Sequence, residues 1–288
     1  MSRAAGSAIK ARATRFDLSS TPSHWIPGQP YATHVLDMTH AVLPPAERWF
    51  VDVYRDALPY ITDPGLRADV EGFIAQEATH AKAHDRGLEH LARHGVDVRR
   101  EVEWADRTRA RLRARAKRLP QRVQRRLLYG ELAAIAAGEH YTAFLGEWIL
   151  DSPQLDLIGT DPVMLDLLRW HGAEEVEHRS VAFDAYQHVH GGYALRVVSG
   201  TLMSIGLVVL VFGTAARLSS LDPELDRGFR YRDYREGVRA GTVPRVAPIV
   251  RSLRDYLRRG YHPSQMGPVA PALAYLATSN GVVRRKAS

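Results

Sequence analysis

Three residues in the second half of the chain have the spacing of metal ligands. His171, Glu175 and His178 stand at positions i, i+4 and i+7, so in a helix their side chains leave one face. That face is otherwise apolar, and it is formed by Met164, Leu167, Leu168, Val181, Ala182, Ala185 and Val189. Burying two imidazoles and a carboxylate there is unfavourable unless a partner compensates, and a metal ion is the usual partner. We therefore expect this triad to bind metal.

An earlier stretch repeats the pattern. Glu77 and His80 form Glu-x-x-His, as Glu175 and His178 do, and they fall within an apolar register. That register is Val70, Phe73, Ile74, Ala81, Leu88 and Leu91. One Glu-x-x-His is common on solvated helices, but two that both face the core predict half of a dinuclear carboxylate site. The other half would be one glutamate from each of two further helices.

Two glutamates are candidates for that other half. Glu47 stands one turn before an apolar stripe, although the helix dipole alone also favours a glutamate in a first turn. Glu139 falls within the stripe of the third predicted helix, and Glu131, one residue off this face, is the fallback. The predicted metal ligands are therefore Glu47, Glu77, His80, Glu139, His171, Glu175 and His178. We expect His84 and Glu174 to orient these ligands or to shuttle protons.

Four helices must carry these ligands, and proline and aspartate mark where they start. The predicted starts are Pro44–Pro45, Asp63–Pro64, Pro120 and Asp161–Pro162. An Asp-Pro pair supplies a cap and a residue suited to the first helical turn. The second helix is expected to run over 64–94 and to be roughly 45 Å long. Glu77 and Glu175 lie equally far beyond their Asp-Pro pairs, which predicts that they sit at the same depth of a bundle.

The elements predict an all-α protein whose core is a four-helix bundle, with a long crossover between its second and third helices and an additional apolar helix. We divide the chain into an irregular leader (1–40), a metal-binding bundle (41–215) and a basic C-terminal extension (216–288) with no assigned role. The crossover includes the strongly basic residues 99–126. We interpret these as a solvated, partly helical connection rather than a surface for anionic lipid or nucleic acid.

The additional apolar helix covers residues 197–213. It is about long enough to span a bilayer, which takes ~17 to 25 residues, but arginines flank it on both sides and do not favour a simple span. We interpret it as a buried fifth helix or a membrane-dipping one. The N-terminus lacks the apolar run of a secretory signal, so we expect a cytoplasmic protein, attached to the inner face of the membrane if 197–213 dips into it.

The composition limits the possible chemistry. The 288 residues include 45% hydrophobic ones, enough for a packed core, and no cysteine. Thiolate metal sites are thus excluded, which leaves histidine, aspartate and glutamate as ligands. The net charge of +7 permits contact with anionic lipid, but the sequence contains no Gly-rich phosphate loop and no nucleic-acid module. We expect no nucleic-acid partner.

The order of these ligands resembles a known family. With LPPAERWF around Glu47 and GEHYTAF around Glu139, residues of about 35–215 resemble the bacterial family described as "predicted metal-dependent hydrolase". The resemblance implies a ferritin-like four-helix bundle with a dinuclear metal site. The last motif, His-x-x-x-Glu-x-x-His, is also similar to that of the di-iron arylamine N-oxygenases. The chain departs from the family at Pro45-Ala46, where a glycine is more usual before the glutamate.

The resemblance and the ligand types together predict two bound iron ions, with manganese or zinc as alternatives. Iron in a carboxylate-rich site suits the activation of molecular oxygen to oxidise a small, hydrophobic or lipid-like substrate. We favour this oxidoreductase interpretation over a hydrolase that uses metal-bound hydroxide, because the ligand order resembles that of oxygen-activating proteins and no separate acyl-transfer constellation is visible. The third hypothesis is that the protein binds metal without catalysing a reaction. Whether the chain forms a homodimer is left open.

Overall fold

A computed structural model describes residues 9–283, and helices are the main secondary structure of this part of the chain. The helices are α1 Pro30–Ala57, α2 Pro64–Arg93, α3 Arg99–Ala116, α4 Gln121–Leu150, α5 Pro153–Leu157, α6 Pro162–His178, α7 Val181–Val189, α8 Tyr193–Leu221, α9 Tyr231–Ala240, α10 Val246–Tyr256 and α11 Ala270–Thr278. Within 9–283 the β-type pairing consists of one isolated antiparallel bridge, between Thr14 and Val282. The predicted all-α class is therefore confirmed.

The first helix starts earlier than expected. The prediction that Pro44 and Pro45 open it is wrong, because α1 begins at Pro30 and carries both prolines in its interior. A proline inside a helix removes a backbone hydrogen bond, but packing can override that cost. Here Val35 and Met38, which lie before the prolines, are buried. The end of the segment 1–40, expected to be irregular, thus belongs to the bundle.

The other helix starts agree with the sequence. The Asp63 side chain accepts the N–H of Leu66 at 2.6 Å, and the Asp161 side chain accepts the N–H groups of Val163 and Met164 at 3.1 and 2.9 Å. Both aspartates therefore cap their helices, α2 and α6. Helix α4 begins directly after Pro120, as predicted.

Two apolar clusters surround the ligand-bearing helices α1, α2, α4 and α6. The first contains Tyr54, Phe73, Leu132, Ile135, Val181 and Tyr186. The second contains Trp25, Met164, Leu167, Trp170 and Val176. Helix α1 packs against α2, and α4 packs against α6, so the inward faces of all four helices meet.

Helices α4 and α6 approach each other closely at two glycines. A Cβ atom on Gly146 would lie 2.3 Å from the carbonyl oxygen of Gly172, and a Cβ atom on Gly172 would lie 2.8 Å from the Cα of Gly146. These distances leave no room for a side chain at either position. The contact sets the spacing between the helix of Glu139 and the helix of Glu175.

The apolar stripe of the fourth predicted helix is divided between two helices. Helix α6 ends at His178, and α7 begins at Val181 after a turn. Between them, the Arg179 side chain is directed to Glu147 on α4, at 2.9 Å, and to the carbonyl oxygen of Gly267. The last predicted ligand is therefore also the last residue of its helix.

The basic crossover forms α3, which is attached to α1 by ion pairs. Arg109 and Arg113 contact Asp52 and Asp56, each at 2.5 Å. Most other side chains of α3 are exposed. The crossover is thus largely solvated, and it is more fully helical than expected.

The apolar helix α8 extends well beyond 197–213 at both ends and lies against α1 and α4. It is long and apolar enough to cross a membrane by length and composition. Only 11% of its most apolar window is buried, so the expectation of a buried fifth helix is wrong. Its outward face carries large aliphatic residues, and the rest of the bundle does not cover them.

Candidate metal centre

The seven predicted ligands converge in the middle of the bundle. Glu47 comes from α1, Glu77 and His80 from α2, Glu139 from α4, and His171, Glu175 and His178 from α6. Each of these residues is at most 6% exposed. Four carboxylates and three imidazoles are therefore enclosed together, although they come from four separate helices.

One half of the centre is built around His178. Its Nε2 atom lies 2.9 Å from Oε2 of Glu139, 3.2 Å from Oε2 of Glu175 and 3.5 Å from Oε1 of Glu77. The geometry makes a hydrogen bond to Glu175, whereas the approach to Glu139 is close without being aligned as one. Three carboxylates thus surround one ring nitrogen.

The other half contains the two remaining histidines. The Nε2 atom of His171 lies 2.8 Å from Oε1 of Glu175 and 3.6 Å from Oε1 of Glu47. The Nδ1 atom of His80 lies 3.4 Å from the same oxygen of Glu175 and 3.7 Å from Oε1 of Glu77. Glu175 therefore stands between the two halves and turns one oxygen to each.

The fallback candidate Glu131 lies elsewhere. It is two turns before Glu139 on α4, and its carboxylate accepts the indole N–H of Trp49 at 3.0 Å. Of the two glutamates, Glu139 alone reaches the centre. The apolar stripe of the sequence predicted this choice.

The centre is short of positive charge and of hydrogen-bond donors. Both carboxylate oxygens of Glu47 and of Glu77 are buried without a hydrogen-bond partner among the described residues, and so is Nδ1 of His80. Unpartnered buried carboxylates are costly unless they are protonated or bind a cation. Nitrogen and oxygen atoms converge here as they do around first-row metal ions, so these residues fit a metal centre.

The pKa values of the glutamates respond to this crowding. Burial raises the pKa of Glu47 and of Glu77 well above the usual range, and it raises the pKa of Glu139 to about 7. Burial acts on Glu175 in the same direction, but the imidazoles of His178 and His171 outweigh it and lower the pKa of Glu175 well below the usual range. Glu175 is therefore the carboxylate most readily charged before a cation binds.

Outer contacts hold His80 in place. Its Nε2 atom lies 2.9 Å from Oε2 of Glu174, and the other oxygen of Glu174 accepts a hydrogen bond from Arg12 at 2.8 Å. Burial opposes charge on both residues, yet this bond raises the pKa of His80 and lowers that of Glu174. A carboxylate behind a histidine ligand fixes the tautomer of that histidine, so Glu174 lies where its predicted orienting role requires, and the role itself stays a prediction.

His178 is held in a similar way from α2. Its Nδ1 atom lies 3.0 Å from the side-chain oxygen of Gln76, and Gln76 donates to Glu177 at 2.9 Å. Arg12 also donates to Glu177, at 2.7 and 2.8 Å. The two outer contacts therefore meet at one arginine.

A row of histidines extends from His171 toward α1. Nδ1 of His171 lies 3.0 Å from Nε2 of His84, and Nδ1 of His84 lies 2.8 Å from Nδ1 of His40. Burial lowers the pKa of His84 and lowers that of His40 to about 4, so both rings are neutral near pH 7. His84 thus contacts a predicted ligand, as expected from the sequence.

Sequence reasoning missed three of these outer residues. His40 stands seven positions before Glu47, on the same face, but the expected helix start hid this relation. Gln76 directly precedes Glu77 and has no periodicity signal of its own. Arg12 lies in the segment 1–40, which was expected to be irregular, and no sequence pattern marks it.

Comparison with known proteins agrees with the geometry. The family model described as "Predicted metal-dependent hydrolase" matches residues 10–267, and the chain belongs to this family. The match extends beyond the predicted range of 35–215 on both sides. No curated protein and no solved structure matches the chain. The ferritin-like relation and the similarity to arylamine N-oxygenases therefore stay predictions.

The family corrects the expected reaction class. The preference for an oxidoreductase was wrong, because the family is described as one of hydrolases. That preference came from the ligand order, which reports the ions a site can hold and does not specify the reaction. The clustered histidines and glutamates agree with a metal-dependent protein of this family.

Proposed function

We propose that the protein is a hydrolase that uses two divalent metal ions per chain. The single observation behind the proposal is the enclosed set of seven ligands, in which the carboxylates of Glu47 and Glu77 have no hydrogen-bond partner among the residues that the structure describes. Two groups of three ligand atoms, each with its members within 4.8 Å, share Glu175. These groups are Glu77, Glu175 and His178, and His80, His171 and Glu175. A carboxylate common to both suits a pair of ions.

The metal identity in this proposal is iron, with manganese and zinc as the alternatives. All three suit imidazole and carboxylate ligands in the absence of thiolates. When bound, such ions supply Lewis-acid activation of a water molecule and of the bond to be cleaved.

The chain's own residues orient the ligands and exclude water. Glu174 and Arg12 hold His80, Gln76 holds His178, and His84 holds His171, so each ring is fixed by a second contact. The rings of Trp170 and Phe73 pack edge-on against His80 and His178, at 5.1 and 4.8 Å between centroids. In this proposal the apolar rings beside the ligands favour a small hydrophobic substrate.

Reconstitution of the metal-free protein tests the proposal. We expect protein loaded with Fe(II), Mn(II) or Zn(II) to hold two ions and to hydrolyse some of a panel of chromogenic carboxylic esters, amides and phosphoesters of increasing acyl length. Glu175→Ala should lose this activity, and Glu131→Gln should retain it. Folded protein that holds two ions yet cleaves no member of the panel, or equal cleavage by Glu175→Ala, would contradict the proposal.

We also propose that the outward face of α8 rests on an anionic membrane surface. Val198, Leu202, Ile205 and Val209 follow one another at helical spacing on this face, and they are 54, 64, 59 and 66% exposed. An exposed apolar stripe of this kind marks an interaction surface. The helix also contacts the bundle at both ends and in its middle, which favours a helix lying on the membrane over one crossing it.

Charge at the ends of α8 favours lipid over a second copy of the chain. The guanidinium of Arg259 stacks on Tyr193 at 4.3 Å, at the start of α8. Toward the other end of α8 lies the exposed Arg217, which also pairs with Glu101 on α3 at 2.8 Å, and the exposed Arg230 follows the helix in sequence. Two copies placed face to face would bring these arginines together, whereas anionic headgroups attract them. The net charge of +7 acts in the same direction.

Sedimentation with lipid vesicles tests this surface. The protein should bind vesicles that contain anionic phosphatidylglycerol more strongly than neutral phosphatidylcholine vesicles, and added salt should weaken the binding. The double variant Leu202→Asn/Val209→Asn should lose the binding, while Leu112→Asn, at an exposed site on α3, should keep it. A dimer in size-exclusion chromatography that the double variant dissociates would instead assign this face to a second copy.

A further inference from the structure

A second group of metal-binding side chains lies far from the dinuclear centre. His24 precedes α1, His34 lies near the start of α1, and Asp222 directly follows α8. One nitrogen of each histidine and one oxygen of Asp222 lie within 4.8 Å of one another. Because a helix rises about 1.5 Å per residue, His34 is roughly 20 Å along α1 from Glu47. The two groups are therefore separate.

Both histidines approach the same carboxylate oxygen. The Nε2 atoms of His24 and His34 lie 2.6 and 2.7 Å from Oδ2 of Asp222. The other oxygen of Asp222 accepts the backbone N–H of Glu224 at 2.8 Å, which orients the carboxylate. His34 and Asp222 are buried, whereas the His24 side chain is 21% exposed, so the group is open to solvent on one side.

His34 is also held from behind by a buried carboxylate. Its Nδ1 atom lies 3.2 Å from Oδ2 of Asp37, and the other oxygen of Asp37 accepts the indole N–H of Trp25 at 2.7 Å. A histidine that binds metal usually donates its second ring N–H to a carboxylate, which fixes the tautomer and directs the other nitrogen at the ion. His34, with Asp37 behind it and Nε2 facing Asp222, has this arrangement.

We infer that His24, His34 and Asp222 form a second metal site, for zinc or another first-row divalent cation that prefers nitrogen and oxygen ligands. The cation takes the place of the imidazole protons that face Asp222, and these protons pass to solvent. Zinc lies about 2.0–2.2 Å from such ligands, so the nitrogen and oxygen atoms separate to about 3.3 Å. His24, the partly exposed member, makes most of this adjustment.

The bound cation has a structural role. It joins the segment before α1 to the residue after α8, two parts of the chain that are far apart in sequence. A cation that binds only the folded state stabilises that state by an amount that rises with the logarithm of the affinity. The site lacks the crowded carboxylates of the dinuclear centre and is independent of the hydrolysis proposed there.

Titration of metal-stripped protein with zinc tests the site. The unaltered chain should bind one tight zinc equivalent more than His24→Ala, and zinc should raise its melting temperature by more. Glu139→Gln, altered at the dinuclear centre, should keep this additional equivalent. His188→Ala, which removes an exposed histidine from α7, should match the unaltered chain. Asp37→Asn should weaken the additional site by roughly 10- to 100-fold.

Two results would overturn the inference. The first is that the unaltered chain and folded His24→Ala bind the same number of zinc equivalents and show the same shift in melting temperature. In that case the two histidines and Asp222 would be held together by hydrogen bonds alone. A second measurement needs no variant: crystals of the unaltered chain soaked in zinc should show anomalous scattering between His24 and Asp222. No peak at that position would also reject the site.

Discussion

The Nε2 atom of His178, the last residue of α6, lies 2.9 Å from a carboxylate oxygen of Glu139, in the middle of α4. This contact joins two helices that the sequence places on either side of a turn and a short helix. The contact is possible because Gly146 and Gly172 have no side chains, so that the backbones of α4 and α6 lie close together. The proposed centre thus depends on packing at two residues that bind nothing themselves.

Replacing Glu139 tests this relationship directly. We expect Glu139→Gln to weaken metal binding by more than the roughly 10- to 100-fold loss typical of a change in an outer contact, because it removes a charged ligand. Glu131→Gln, on the same helix, should leave metal content unchanged, since Glu131 contacts Trp49 outside the centre. Elemental analysis and helical circular dichroism of both variants provide the check. Equal metal loss in the two would refute the assignment of Glu139.

The variants Glu175→Ala and His171→Ala should differ in the number of ions that the protein retains. Glu175 turns one oxygen to His171 and the other to His178, so Glu175→Ala should lose both ions. His171→Ala removes one nitrogen from one half, and it should retain one ion of the two. Metal content measured on both variants at the same protein concentration decides this. Two ions in His171→Ala, with only a lower melting temperature, would indicate a packed core histidine.

The outer contact of His80 should affect affinity without removing a ligand. Glu174→Gln keeps the shape of the side chain but weakens its bonds to His80 and to Arg12. We expect metal affinity to fall by roughly 10- to 100-fold while the stoichiometry stays the same. Competition with a chelator measures the affinity. Asp166→Asn, a change on the outer side of α6 near Tyr275, serves as the control.

The glycine contact between α4 and α6 should be intolerant of a methyl group. Gly146→Ala would place a Cβ atom 2.3 Å from the carbonyl oxygen of Gly172, so we expect a loss of about 1–3 kcal/mol in the free energy of unfolding. Gly130→Ala, on the same helix with open space around it, should be neutral or stabilising by up to about 1 kcal/mol. Denaturant unfolding of both variants measures the difference. Similar free energies would show that the helices separate at little cost.

Stabilisation by metal should increase as the pH rises from about 4.5 through 7. In the metal-free protein burial raises the pKa of Glu139 from 4.5 to about 7, so its contribution to stability is complete below 4.5 and is lost as the pH rises through about 7. Glu47 and Glu77 shift in the same direction. The cations replace these protons, so the metal-loaded protein avoids the loss.

Melting temperatures with and without metal, from about pH 6.5 to 8, check this expectation. The gap between the two should widen as the pH rises, and metal binding at about pH 6.5 should release protons, measurable by calorimetry in buffers of different ionisation enthalpy. A constant gap and no proton release would mean that the glutamates are already charged in the metal-free protein.

The ligand-bearing faces could be predicted from the sequence because helical periodicity is local. Glu77 and His80, like Glu175 and His178, share a face with apolar neighbours on their own helix. The sequence spacing of these residues is sufficient to predict that shared face. The same argument chose Glu139 over Glu131. Asp63 and Asp161 were recognisable as caps for the same reason, since a cap bonds within its own first turn.

Tertiary structure decided what depends on contacts between distant segments. The start of α1 at Pro30, despite two interior prolines, follows from packing that no local pattern reports. Arg12 reaches Glu174 and Glu177 from the other end of the chain, and His24 and His34 reach Asp222 in the same way. The exposure of α8 could not be predicted either, because an apolar helix has the same sequence pattern whether protein, lipid or water covers it. The packing of the whole bundle determines what surrounds α8, and that packing cannot be deduced from the residues of the helix alone.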